Sequence, residues 1–360
     1  MRIGVTRYMQ NTSELDRSGA RDAAHQPVIA DSDVYDDELA LASLAEPLGF
    51  DSIWTTSHYF SPYQLTANAL QQATFMAGRT SRAGFGTMVI VLPWHHPLHV
   101  ASEICVLDNM LAGRPLILGL GPGAFRMEFE AFGIPMEESA ARFRECVEII
   151  RLGIERERFS YDGRFYRIGE TSIRPRPRNP RQLLSDMRVV WSRSRTLPGE
   201  ADLGLDVLMP ASLRGRAYRI PFRRLNELRA AKGFPPSRPV LTMFAACTST
   251  DAEGQALMDR HLAEFTGSSA QMSGPPSMRS KLRSFVRQLA HGAGFATAAR
   301  MQLWGTPERC IARLRELHLA VRPREIVVAF RYGSMSRVAA EKSMRLFAEE
   351  VLPVVHSWPS

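Results

Sequence analysis

His58 lies near the end of the stretch LGFDSIWTTSHYF, Leu48–Phe60. A glycine turn leads there into a short β-branched and aromatic run, Ser52-Ile53-Trp54, and then into a polar tail with His58 and Tyr59. A histidine just past a buried strand is placed for proton transfer, because its ring titrates near neutrality. A capping or core histidine is the other reading. Gly119-Leu-Gly-Pro-Gly123 also follows an apolar run, and its glycines let backbone approach a flat or anionic ligand, unless they form a plain tight turn. Pro122 breaks the spacing of a dinucleotide fingerprint. Ser192-Arg-Ser-Arg-Thr196 sets hydroxyls and guanidinium groups just ahead of a helical stretch, where a phosphate binds well; an exposed polar loop fits it equally. His95 and His99 have the i, i+4 spacing of metal ligands. Pro97 lies between them at the corner into a helix, so no metal is expected. Tyr59, Phe60, Tyr63, Trp94 and Phe125 either wall an apolar pocket or simply pack.

The elements that must hold these residues alternate. Ile3–Val5, Ser52–Trp54, Gly84–Val91, Leu116–Leu120, Val189–Trp191, Asp206–Met209, Val240–Ala246 and Glu325–Ala329 read as strands. Helical periodicity follows most of them, over Tyr35–Leu48, Asn68–Arg79, Pro97–Leu111, Glu138–Glu155, Pro198–Leu203, Arg214–Lys232, Asp251–Glu264, Thr306–His318 and Met335–Val355. Phe159–Ile168 reads as a hairpin around Asp162-Gly163. Gly121–Phe132 is expected to be a loop. The pattern predicts an α/β protein, a (β/α)8 TIM barrel with insertions, as one domain over residues 1–360. A doubly wound sheet is the competing architecture. Residues 9–33 and 267–301 break the pattern and read as mobile loop insertions.

The chain is basic, with 45 Lys+Arg against 37 Asp+Glu, and lysine occurs only at Lys232, Lys281 and Lys342. The excess is spread along the chain. Its densest run, Arg174–Arg181, has no interleaved aromatics, so nucleic acid is not an expected partner. Cys105, Cys146, Cys247 and Cys310 form no CxxC pair and fit neither a zinc site nor a disulfide framework. The N-terminus lacks a signal-peptide apolar region, and no apolar run reaches the roughly 18 residues of a membrane span. The expectation is a soluble, cytoplasmic protein.

Several ordered motifs resemble the bacterial luciferase-like flavin monooxygenases. Leu48–Phe60 is similar to that family's LGFDxxWxxEHHF segment. Gly86-Thr-Met-Val, His96-Pro97 and Leu107-Asp-Asn-Met-Leu-Ala-Gly-Arg114 follow its GT, HP and LDxxSxGR run. Phe132-Gly-Ile-Pro-Met-Glu-Glu-Ser139, the YDGRFY hairpin and Ser343–Pro353 continue the likeness.

The resemblance implies a TIM barrel that binds reduced FMN at its C-terminal face. A separate flavin reductase supplies the FMN, and dioxygen converts it to a C4a-hydroperoxide that oxygenates an organic substrate. His58 takes the place of the essential histidine, with Ser57 and Tyr59 where the family has an acidic residue and a second histidine. By the same resemblance, Thr87, Met88 and Gly121 lie against the isoalloxazine. Arg142, Ser192, Arg193, Ser194 and Thr196 hold its phosphate. Gly121 and Pro122 replace the luciferase cysteine and its neighbouring arginine, which argues against aldehyde oxidation with light emission. The expected function is oxygenation of a small apolar or polycyclic molecule by a homodimer. Hydride transfer with F420 and a non-catalytic flavin-binding partner subunit are the alternatives.

Overall fold

The computed structural model describes residues 1–13, 29–191, 203–212, 215–272 and 299–359. Its strands in chain order are β1 (Arg2–Thr6), β2 (Ser52–Thr55), β3 (Gly84–Val91), β4 (Leu116–Gly121), β5 (Phe159–Asp162), β6 (Arg167–Thr171), β7 (Met187–Val190), β8 (Asp206–Pro210), β9 (Val240–Cys247), β10 (Leu303–Gly305) and β11 (Glu325–Ala329). The helices that matter below are α1 (Asp31–Ser43), α2 (Ala69–Ala77), α3 (Pro97–Leu111), α4 (Arg126–Ala131), α5 (Ser139–Glu155), α6 (Pro180–Ser185), α7 (Arg219–Ala230), α8 (Asp251–Gln271), α9 (Pro307–Val321), α10 (Arg337–Glu350) and α11 (Leu352–His356).

Eight of these strands run parallel and close on themselves. The order is β1-β2-β3-β4-β7-β8-β9-β11, and β11 pairs back onto β1 from Arg2 opposite Glu325 to Thr6 opposite Ala329. This is the expected (β/α)8 TIM barrel. β5 and β6 form the expected antiparallel hairpin outside it.

Strand alternation sorts the side chains into two cores. Ile3, Ile53, Phe85, Leu118, Ile326 and Val328 face the helices. Trp54, Ile117, Leu208, Val240 and Val327 fill the lumen. Trp54 is completely buried. A Cβ on Gly86 would come within 2.3 Å of its indole, and one on Gly4 within 2.7 Å of its Nε1. Glycine at both positions is what makes room for the ring. At the N-terminal end of the barrel, Glu325 accepts from Trp54 Nε1 at 2.8 Å, from Arg2 Nε at 3.0 Å and from the Ser52 hydroxyl.

Several details depart from expectation, among them the unforeseen α6 and the earlier span of α1. The expected loop Gly121–Phe132 contains α4, a six-residue helix. Residues 31–33 and 267–271, expected in insertions, belong to α1 and α8. β10 is an additional three-residue strand that pairs with the C-terminal end of β9. The expected last helix divides into α10 and α11 near Pro353, whose missing N–H cannot continue the ladder. The expected start of the Pro198–Leu203 helix lies outside the described residues.

Glu46 staples the barrel's outer layer. Its Oε2 accepts from Arg82 N at 2.6 Å and Ala83 N at 2.7 Å, and both carboxylate oxygens accept from Ser81 N at 3.1 Å. Burial is the largest single influence and raises its pKa, but the three amides and the Ser81 hydroxyl together outweigh it and hold the carboxyl down at about 2. Its contribution is therefore complete above the ordinary carboxylate value of about 4.3 and lost as pH falls through about 2. Glu46→Gln is expected to lower the urea midpoint at pH 7. The gap from the parent protein should close as pH falls from about 4.3 towards 2, and a gap independent of pH would show that these amides do not favour the ionised form.

Candidate active site at the barrel mouth

Beyond Thr55 the chain doubles back before entering α2. The Thr56 and Thr66 hydroxyls meet at 2.9 Å, Ser57 Oγ donates to Ala67 O at 2.9 Å, and His58 N donates to Thr66 O at 2.9 Å. Asn68 then caps α2 by accepting from Leu70 N and Gln71 N. The His58 backbone is thus fixed on both sides, and its side chain is 20% exposed.

α4 supplies what the sequence reading missed. Glu128 is fully buried, and its Oε1 accepts from Tyr59 N at 2.8 Å and lies 3.1 Å from His58 Nδ1. Its Oε2 has no partner among the described residues. An ionised carboxylate only accepts, so this contact places a hydrogen on Nδ1 and leaves Nε2 as the ring nitrogen that can exchange a proton. The His58 ring is braced by Tyr63 and Phe125, at centroid distances of 5.1 and 5.3 Å.

Aromatic rings wall this end of the barrel. Tyr59 meets Phe132 at 5.0 Å and Trp94 at 5.6 Å, and its hydroxyl lies 3.4 Å from His95 Nε2. Burial raises the Tyr59 phenol and lowers the His95 imidazole, so both favour their neutral forms. Across the mouth, Tyr8, Phe244 and Phe265 make mutual ring contacts between 4.8 and 5.5 Å, and Phe265 reaches Tyr63 at 5.8 Å.

Met88, Val89 and Val190 pack, half-buried, on the lumen cluster. The ladder between β3 and β4 shifts register between Thr87 and Ile90, and the Met88–Val89 peptide is cis. Thr87 is fully buried and its hydroxyl donates to Gly119 O at 2.9 Å. At Gly121 a Cβ would lie 2.6 Å from Val89 Cγ2, so that glycine admits the valine. β3 and β4 thus set Thr87 against Gly119 and Val89 against Gly121, with Met88 beside Val89 on the lumen cluster.

Arg142 is held by contacts of its own. It lies one turn into α5, whose Ser139 hydroxyl donates to Pro122 O at 2.7 Å. Its Nε and Nη2 donate to Glu138 Oε2 at 2.9 and 2.8 Å, and its guanidinium sits 4.5 Å from the Phe165 ring. Ser192, Arg193, Ser194 and Thr196 lie outside the described residues.

Comparison with known proteins agrees with the barrel fold. The family described as luciferase-like monooxygenase matches residues 1–322. The alkanal monooxygenase alpha chain of Photobacterium leiognathi is 24% identical over 334 residues, covering 88% of this chain and 92% of its own. The monooxygenase RslO1 of Streptomyces bottropensis superposes with a TM-score of 0.79 at 24% identity, over 99% of this chain and all of its own. The oxygenating constituent of 3,6-diketocamphane monooxygenase from Pseudomonas putida, solved with FMN, has a TM-score of 0.70 at 18% identity over 98% of both chains. An F420-dependent secondary alcohol dehydrogenase, solved with an F420–acetone adduct, has a TM-score of 0.72 at 16% identity over 98% of both chains. The match over nearly the whole sequence places this chain in the luciferase-like monooxygenase family.

Proposed function

We propose that this protein is the oxygenating component of a two-component flavin system. In this reading a separate reductase delivers reduced FMN, and the protein uses it with dioxygen to oxygenate a small apolar or polycyclic organic molecule. The His58–Glu128 pair within an aromatic-walled mouth carries the proposal, in a chain of this family.

The residues present fit a flavin. Met88, Val89 and Val190 offer a half-buried apolar floor for its ring system, with Thr87 and Gly121 setting that floor from the sheet. The phosphate is assigned to Ser192, Arg193, Ser194 and Thr196, with Arg142 as the described cation of the set. Bound reduced flavin supplies the electrons that activate dioxygen. His58 holds or moves a proton at Nε2, oriented through Nδ1 by Glu128. Ser57 holds the returning loop through Ala67 O, and Tyr59 and the surrounding rings keep water out. A homodimer and a cytoplasmic location belong to the same proposal, and four buried, unpaired cysteines accord with a reducing compartment.

The test is to mix the protein and reduced FMN with oxygen in the presence of candidate apolar substrates. Product formation coupled to oxygen uptake is the expected result. Oxygen uptake no different from that of free reduced FMN, with no product, would sink the reading. The likeness to the F420-dependent dehydrogenase favours one alternative, hydride transfer. Anaerobic oxidation of reduced F420 would select it.

A further inference from the structure

A second cavity lies on the outer side of the barrel wall. Gly4 faces the lumen, where a Cβ would meet Ser52 and Glu325, and by strand alternation Arg7 points the opposite way, into the helix layer. Arg7 is 4% exposed. Its Nη2 donates to Gln72 Oε1 at 3.2 Å, while Nε and Nη1 are buried with no partner among the described residues. The nearby carboxylate of Glu38 is held by Arg331 Nη1 at 2.9 Å.

Arg7 borders a cavity of about 320 Å³ whose other walls include Met9, Tyr35, Leu39, Gln72 and Phe75. The Tyr35 hydroxyl is occupied with Leu65 O. Most of the lining is apolar, and Arg7 is its one charged group among the described residues. Buried guanidinium donors without partners cost free energy unless something accepts from them. The group that suits a planar guanidinium is a carboxylate. The apolar walls select an organic acid over an inorganic anion, because only the former covers Met9, Leu39 and Phe75.

We propose that this cavity binds a small organic carboxylate, with the acid on Arg7 and an aliphatic or aromatic body against Met9, Leu39 and Phe75. The site is distinct from the barrel mouth but shares a wall with it. Ala67 lines the cavity and accepts from Ser57, and neighbouring Thr66 accepts from His58 N.

Isothermal titration of the full chain with octanoate and phenylacetate, against octanol as the uncharged probe, tests the proposal. Saturable binding of at least one acid is expected, with octanol weaker by about tenfold or more, the scale of one charge-assisted hydrogen bond. Arg7→Gln should remove the preference for the acid and Arg7→Lys should keep part of it. Gln71→Trp, at an exposed wall position, should block both probes while leaving Arg7 and the core unchanged. No binding of either acid, or equal binding by the parent, Arg7→Gln and Gln71→Trp proteins, overturns the proposal. A change of oligomeric state in Arg7→Gln in place of lost binding also overturns it, since a second copy would then be what completes the guanidinium.

Discussion

Glu128→Ala should cut product formed per reduced flavin by about a hundredfold, the scale of one positioned acid–base group, while flavin binding changes little. The carboxylate is fully buried and reaches His58 Nδ1 at 3.1 Å and Tyr59 N at 2.8 Å. Its removal frees the imidazole to rotate and to take the other tautomer, and it leaves the Tyr59 amide without its acceptor. Glu128→Gln keeps an oxygen for both contacts and should retain more activity than the alanine variant. His58→Ala should bring a similar loss, with reduced flavin diverted to free hydrogen peroxide. A merely structural role for Glu128 predicts losses that add. A shared role predicts that the Glu128→Ala, His58→Ala double variant is little worse than either single one. Additive losses, or an unchanged ratio of product to peroxide in His58→Ala, would falsify the pairing of roles.

The difference between what was legible and what was not follows sequence distance. His58 could be found because its signals are local: a glycine turn, a buried strand and a polar exit within Leu48–Phe60. The barrel could be found because each unit repeats the same alternation over lengths at which periodicity is readable. Glu128 could not. Its partner is 70 residues earlier, and it sits on a six-residue helix whose N-cap, Phe125, makes no side-chain cap bond. The only signal was a carboxylate flanked by Phe125, Met127 and Phe129, which is too little to name a partner. β10 is three residues long, below the length at which alternation means anything. The arginine run was legible as basic but not as structure. Arg176 donates to Gly153 O and Ile154 O, both at 2.6 Å, and so caps the C-terminus of α5.

Trp54 was readable as a strand residue, yet the glycines that shape its site come from β1 and β3. Trp54→Ala is expected to be among the most damaging single changes in the barrel, at about 4 kcal/mol, as for other large-to-small changes at aromatic core positions. The indole is completely buried, and the void it leaves is bordered by Gly4 and Gly86, which have no side chains to fill it. Glu325, also fully buried, would lose one of its three donors, Trp54 Nε1 at 2.8 Å, while keeping Ser52 and Arg2. Trp54→Phe keeps most of the volume and loses mainly that hydrogen bond, so it should cost about 1–2 kcal/mol. Trp54→Ala combined with Gly86→Leu should recover part of the loss, because the new side chain enters the space the indole vacates; Gly86→Leu alone should be severely destabilising, since even its Cβ would meet the indole at 2.3 Å. Urea midpoints of the four proteins measure this, with Leu319→Ala, at a position 74% exposed, as the control for an unburied site. A Trp54→Ala midpoint as close to the parent's as that of Leu319→Ala would mean that the lumen is not held by its tryptophan.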